Sequence, residues 1–366
     1  MTLAARLSTF PWDLLAPYRD KARAHGDGIV DLSIGTPVDP VPEPVRAALA
    51  DAADAPGYPV TQGTQRLREV AAGWLARRHS VSVDPSAVLP LIGSKEFIAA
   101  LPAMLGCGPG DTVAYPELAY PTYAIGAQLA GASAVAADGL AALGPGRVSL
   151  IWVNSPANPT GRVLPAAHLR KMVDWARERG AVIAADECYL DLGWDAEPVS
   201  VLHPQVCGGS ARGVLAVHSL SKRSNMAGYR AGFVAGDPAL IADLLEIRRH
   251  AGMMMPSPVQ AAMAAALADD AHAEEQRARY ATRRERLRAA LAAAGWATEH
   301  SEAGLYLWVA RPGLDCWGSV QLLAEAGILV APGEFYGPAG REHVRVALTA
   351  TDERIDAAVA RLAAIA

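Results

Sequence analysis

Six short apolar runs, at residues 88–92, 111–115, 149–153, 181–185, 214–218 and 231–235, recur through the middle of the chain with helical segments between them. A strand that is apolar at nearly every position is buried on both faces, and burial on both faces needs helices above and below it. The order therefore predicts a mainly parallel, doubly wound α/β sheet. In sheets of this kind ligands bind where strands give way to loops. The residues just after each run thus matter most: GSKE after the first, PELAYPTY after the second, NSPANPTG after the third, DECY after the fourth and SLSKRSNMAGYR after the fifth.

The flanking sequence points to a second, smaller unit. Strand patterns at 29–34, 305–309, 328–331 and 344–348 and helical patterns at 319–326 and 352–365 lie outside the alternating region. A long Ala- and Arg-rich helix is expected after Pro258, bridging to this unit. We expect residues 1–40 to form an N-terminal arm, around Phe10-Pro11-Trp12, and part of the small domain; 41–260 the large domain; and 261–366 the interdomain helix and an α+β small domain. Two domains also suit 366 residues.

Composition excludes several classes of partner. A formal net charge of −5 without a basic patch argues against nucleic acid. No apolar run is long enough to cross a bilayer and no secretory h-region is visible, so a cytoplasmic location is expected. Cys107, Cys188, Cys207 and Cys316 are far apart and form no CxxC pair, which suits reduced thiols rather than a disulfide framework or a zinc site.

Lys222 emerges after an apolar strand between Ser219, Ser221 and, eight positions on, Arg230. Hydroxyl donors and a guanidinium fork suit a phosphate dianion, and an amine beside them can attack a carbonyl. SxSK by itself reads equally as a basic surface loop; the spacing to Arg230 and Gly232 favours a covalent cofactor anchor. Ser94 opens a helix after Gly93, so backbone N–H groups there can supply a second half of the phosphate site. Asp186 directly follows a buried strand and needs a protonated partner. Arg345, inside the apolar run HVRVAL, needs an anion or a structural carboxylate. Tyr120 can stack on a flat ring or pack in the core, Asn158 offers a directed donor, and Gly35 marks either a backbone contact or a plain turn. A lysine anchor, an aromatic clamp, an amide, a carboxylate facing a ring nitrogen and a two-sided phosphate grip together describe a site for pyridoxal phosphate.

NSPANPTG, DECY, SLSKRSNMAGYR and the late RVAL resemble the class I and II aminotransferases of fold type I, over essentially the whole chain. The resemblance implies that Lys222 carries the cofactor as a Schiff base, Asp186 faces the pyridine nitrogen, and Asn158 and Tyr189 donate to its phenolic oxygen. It places Ser94, Lys95, Ser219, Ser221 and Arg230 at the phosphate, Tyr120 on the ring, and Gly35, Asn158 and Arg345 at the substrate. Tyr58 matches a tyrosine that reaches the phosphate of a neighbouring subunit, so a homodimer with shared sites is implied. Ala157 falls at a variable position. IVDLSIGTPVDP, DECYLDLGWDAEP, HAGMMMPSPVQAA and GILVAPGEFYGP are further similar to the N-succinyldiaminopimelate aminotransferases of lysine and cell-wall precursor synthesis, whose amino-acid and 2-oxo-acid substrates it implies.

Relatives with the same motifs perform β-elimination, and the lysine loop does not separate the two chemistries. A regulator carrying such a domain would need a DNA-binding domain in front, and with motifs beginning by Gly35 none is expected. A substrate with several carboxylates needs a second cation beyond Arg345, for which Arg19, Arg23, Arg223, Arg249 and His250 are candidates; the Arg223 side chain is expected to point away into solvent.

Overall fold

A computed structural model describes residue 7 and residues 11–143 and 146–365; Phe10 of the expected arm lies outside the described residues. The strands are β1 (Val30–Asp31), β2 (Val88–Ile92), β3 (Thr112–Tyr115), β4 (Ser133–Ala136), β5 (Val148–Asn154), β6 (Val182–Asp186), β7 (Val214–Ser219), β8 (Ala231–Gly236), β9 (Ala297–Glu299), β10 (Tyr306–Ala310), β11 (Ile328–Leu329), β12 (Ala331–Pro332) and β13 (His343–Ala347). Seven of them form one sheet in the order β2-β8-β7-β6-β5-β3-β4. All neighbours in it are parallel except β8, which is antiparallel to both β2 and β7. The expected mainly parallel, doubly wound sheet is therefore what forms.

Strand alternation explains the two layers around it. In β7, Val214 and Ala216 join one buried cluster and Leu215 and Val217 another. The same split divides Ile151 and Val153 from Leu150 and Trp152 in β5. Side chains alternate across a strand, so each run feeds two helical layers at once. A third cluster joins the antiparallel sheet β12-β13-β10-β9 to the N-terminal residues Leu15, Ala22, Val30 and Leu32.

Several boundaries depart from the local pattern. The 29–34 strand shortens to β1, because the carbonyls of Ser33 and Ile34 accept from Arg345 and Thr349 instead of from a strand. The 328–331 run divides between two sheets, β11 pairing with β1 and β12 with β13. Strand β4, made of small residues at a sheet edge, has no apolar run to announce it. The helix after Pro258 is two helices, Ser257–Ala268 and Ala271–Ala293. Asp269 breaks it by accepting from the Ala271 amide, and Asp270 binds Arg77 through both carboxylate oxygens. The first half packs on helices Glu43–Asp51 and Gln65–His79, the second on Asp352–Ala363.

Candidate active site

Strands β5, β6 and β7 end side by side, with Asn154 opposite Asp186 and Asp186 opposite Val217. Asn154 fastens these ends: its amide donates to the Asp186 carbonyl at 2.9 Å, and its side-chain oxygen accepts from the Asn158 amide at 2.7 Å. Every residue that the family resemblance places at the cofactor or substrate, except Tyr58, lines one cavity of about 310 Å³ at this edge.

Asp186 is buried at its floor. The Tyr123 hydroxyl donates to it at 2.8 Å and the Cys188 amide at 3.2 Å. Burial pushes its carboxyl above the usual range, and these neutral donors only partly offset that. A cation arriving from the cavity would reverse the balance. The Lys222 amine donates to the Gly35 carbonyl at 2.5 Å. Burial lowers its proton affinity, Tyr306 and Cys188 oppose that, and Arg345 and Arg230 add to it. A lowered proton affinity raises the share of neutral amine, the form of a lysine that attacks carbonyls. Tyr189 lies beside it with its hydroxyl 3.2 Å from that of Tyr306, and burial pushes the Tyr189 phenol well above its usual value.

An anion receptor lies at one end. Helix Ser94–Met104 starts after Gly93 with no side chain capping its first amides. Because β8 lies between β2 and β7, it brings this helix start beside Ser219 and Ser221, with Ile92 opposite Ala231 and Ser219 opposite Gly232. Gly93 has φ +82°, and a Cβ there would collide with the Arg230 guanidinium. Ser94 Oγ accepts from the Cys188 thiol at 3.3 Å and Ser219 Oγ from the Ser221 amide at 3.2 Å.

Arg345 is buried in the opposite wall, within β13. It donates to Asn158 Oδ1 at 2.9 Å and to the Ser33 carbonyl at 2.7 Å, with its guanidinium 3.9 Å from the Tyr306 ring centre and 4.9 Å from that of Tyr336. Its Nε has no hydrogen-bond partner among the described residues. Arg345 uses the Asn158 side-chain oxygen, which orients the N–H groups of that amide the other way. An uncapped helix start with an arginine, a buried carboxylate lacking a cation, and an amine between them fit pyridoxal phosphate at its phosphate, ring nitrogen and aldehyde ends.

Tyr58 is 96% exposed in the single chain and does not line the cavity. None of the five candidate cations lines it either. Arg23 pairs with Asp20, while Arg249 and His250 pair with Glu246. Arg223 does point away from the cavity, but into a buried ion pair with Asp191 and not into solvent. Among the lining residues that escape the sequence reading as site members are Tyr123, Trp12 and Tyr306. Tyr123 sits in the first turn of the helix Thr122–Ala130, three residues past Tyr120 in the same PELAYPTY segment, a proximity that could have flagged it. Trp12 reads only as part of the arm, and Tyr306 as core of β10.

The family model for aminotransferase class I and II matches residues 27–362. The chain is 62% identical to the 4-dedimethylamino-4-oxo-anhydrotetracycline transaminase OxyQ of Streptomyces rimosus, over 97% of this chain and 99% of that one. It is 61% identical to a protein of Mycobacterium tuberculosis named "probable aminotransferase", over 98% of this chain and 86% of that one. Among solved structures, a "probable N-succinyldiaminopimelate aminotransferase" of Thermus thermophilus superposes with a TM-score of 0.87 at 30% identity, covering 98% of this chain and 100% of that one.

Proposed function

The chain belongs to the class I and II aminotransferases, a pyridoxal-phosphate-dependent family, and from that premise we propose that it is an N-succinyl-LL-diaminopimelate:2-oxoglutarate aminotransferase. When bound, the cofactor supplies an electron sink for the negative charge left at the substrate Cα. In this reading Asp186 keeps a ring nitrogen protonated, and Tyr189 and Asn158 donate to the ring oxygen. Tyr120 covers one ring face. Arg230, Ser219, Ser221 and the amides of Ser94 and Lys95 grip the phosphate. The Lys222 amine anchors the cofactor, then takes the Cα proton and returns it as general base and acid. Arg345 and Asn158 hold the substrate α-carboxylate, with Gly35 backbone beside it. Residues 41–260 form the cofactor domain, and 1–40 with 261–366 supply Arg345 and its wall. Tyr58 serves the phosphate of a second copy in a homodimer.

The observation that carries the substrate reading is the set of cations in the cavity. Among the described lining residues these are Lys95, Lys222, Arg230 and Arg345. The last three have roles at the cofactor and the α-carboxylate. In this reading the exposed Lys95, whose ammonium lies 5.4 Å from the Tyr120 ring centre, meets a distal carboxylate in addition to the contacts it already makes. Likeness to the Thermus structure supports the same substrate.

A second reading has its own support. The Streptomyces relative is named for a bulky tetracyclic ketone, and Trp12 and Tyr120, with ring centres 6.3 Å apart, line the cavity with flat aromatic surface. Comparing kcat/KM for N-succinyl-LL-diaminopimelate with 2-oxoglutarate against glutamate with a tetracyclic ketone decides between them. Preference for the ketone, or for alanine or aromatic donors, overturns the succinyl reading and leaves the aminotransferase chemistry standing. Ammonia release without a paired amino acid would instead indicate β-elimination. No helix among the described residues is long and apolar enough to cross a membrane, and a cytoplasmic location is part of the proposal.

A further inference from the structure

Tyr189 and Lys222 stand just beyond the neighbouring strands β6 and β7, and among the described residues no side-chain hydrogen bond within the cavity joins the segment of one to that of the other. Behind the cavity something does. Two residues beyond Tyr189, the Asp191 side chain is only 9% exposed; one residue beyond Lys222, Arg223 is buried. Arg223 Nε donates to Asp191 Oδ2 at 2.7 Å. Its Nη1 donates to Ser224 Oγ and to the Ala266 carbonyl, both at 3.1 Å, and the guanidinium lies 5.4 Å from the Trp74 ring centre. Asp191 Oδ1 meets His79 Nε2 at 3.1 Å, at the end of helix Gln65–His79. Asp191 is held far below the usual carboxylate range: burial opposes this, and His79 and Arg223 outweigh burial.

We infer that the Asp191–Arg223 ion pair is a positioning device for the reaction, fixing the Tyr189 hydroxyl relative to the Lys222 amine. Asp191 sits inside a tight turn, closed by the Leu190 amide on the Glu187 carbonyl and the Leu192 amide on the Tyr189 carbonyl, so pulling on Asp191 moves Tyr189. Arg223 ends the single helical turn Leu220–Arg223, so pulling on it moves Lys222. Neither side chain lines the cavity. The pair acts through its neighbours, and depends only on Lys222 and Tyr189 working together in amino transfer.

The test uses the holoenzyme and its variants Arg223→Met, Arg223→Lys and Asp191→Asn. Three things are measured: the dissociation constant of pyridoxal phosphate, the pH midpoint of the bound cofactor's long-wavelength absorbance, and kcat and KM for L-glutamate. The midpoint reads proton affinity at the Lys222 nitrogen and needs no donor. Arg223→Met is expected to bind cofactor as the wild type does, to shift the midpoint, and to lose on the order of 10- to 100-fold in kcat with KM little changed. Arg223→Lys keeps the charge without the planar fork and recovers part of both effects. Unmoved midpoint and kcat in Arg223→Met and Asp191→Asn overturn the inference, as does a loss confined to cofactor affinity and thermal stability. If Arg223→Met does not fold, Arg223→Lys carries the test: a smaller shift of midpoint and kcat supports the inference, and none overturns it. A wild type inert toward glutamate overturns the donor reading alone, because the midpoint still answers.

Discussion

Tyr123 donates its hydroxyl to Asp186 across 2.8 Å, and both groups are buried. The bond favours the carboxylate form against the burial that favours its protonation, and leaves that form's charge to be met by a cation from the cavity. A histidine at the same place would compete with the cofactor for that charge. Removing the hydroxyl leaves Asp186 with Cys188 as its hydrogen-bond partner among the described residues and makes its carboxyl more easily protonated.

Tyr123→Phe is the smallest such change, and it should fold, because Tyr123 also packs against Trp152 with ring centres 5.3 Å apart. A hydrogen bond to a charged group contributes about 1.5–3 kcal/mol, so the variant should lose roughly 10- to 150-fold, shared between cofactor affinity and kcat. Titration with pyridoxal phosphate and steady-state rates at saturating cofactor measure the two shares. Wild-type values in both would refute the role assigned to this bond.

Glu187 and His218 form a buried pair next to the site, with 3.6 Å between Oε2 and Nε2. Burial pushes Glu187 up to about 8 from an ordinary 4.5, against the pull of the Val201 amide. Burial pushes His218 down to about 3 from 6.5. Between pH 4.5 and 8 the folded chain keeps a Glu187 proton that the unfolded chain has released, so stability falls as pH rises through that window. Between pH 3 and 6.5 the unfolded chain holds an extra proton on His218, so stability is lost as pH falls there. The Glu187 effect is cleanest from pH 6.5 to 8, with a slope of at most about 1.4 kcal/mol per pH unit. Glu187→Gln keeps an oxygen for the Val201 amide and should flatten this slope in urea titrations; an unchanged slope would show that Glu187 is ionised in the folded chain.

Arg345→Gln should cripple recognition of the α-carboxylate. Loss of one partner of a buried, hydrogen-bonded charge pair costs about 2–5 kcal/mol, or roughly 30- to several-thousand-fold in kcat/KM. The loss should appear for every amino acid tested, whatever its side chain. A donor-dependent loss would place the clamp on the distal carboxylate instead.

Tyr58 is nearly fully exposed in the single chain, as a residue serving another copy's site would be. Mixing Lys222→Ala subunits with Tyr58→Phe subunits should restore part of the activity that each lacks, because one site of the hybrid then has both native residues. No gain on mixing, or an active monomer in sedimentation, ends the shared-site idea.

The apolar runs and the residues at their C-terminal ends are readable one segment at a time. Residues 88–92 become β2 without a shift; Asp186 can be singled out because a carboxylate directly after a buried strand is costly unless it has a partner, and Lys222 and Asn158 because they stand in polar loops following such strands. Where the pattern misleads, a distant partner intervenes: Arg345 and Thr349 take the carbonyls that would have extended β1, and Asp269 takes an amide that would have continued a helix. The sequence by itself thus determined which strands would be buried, which side chains would stand at their ends, and the cofactor those side chains suit, because these follow from residue type and spacing of two or of three to four. Only the tertiary structure decided that Tyr123 faces Asp186 from 63 positions away, that Arg223 turns from the cavity to Asp191, and that Arg345 lies between Tyr306 and Tyr336. Those pairings depend on sheet order and register, and the free energy that selects them comes from burying whole layers together, which no local stretch of sequence contains.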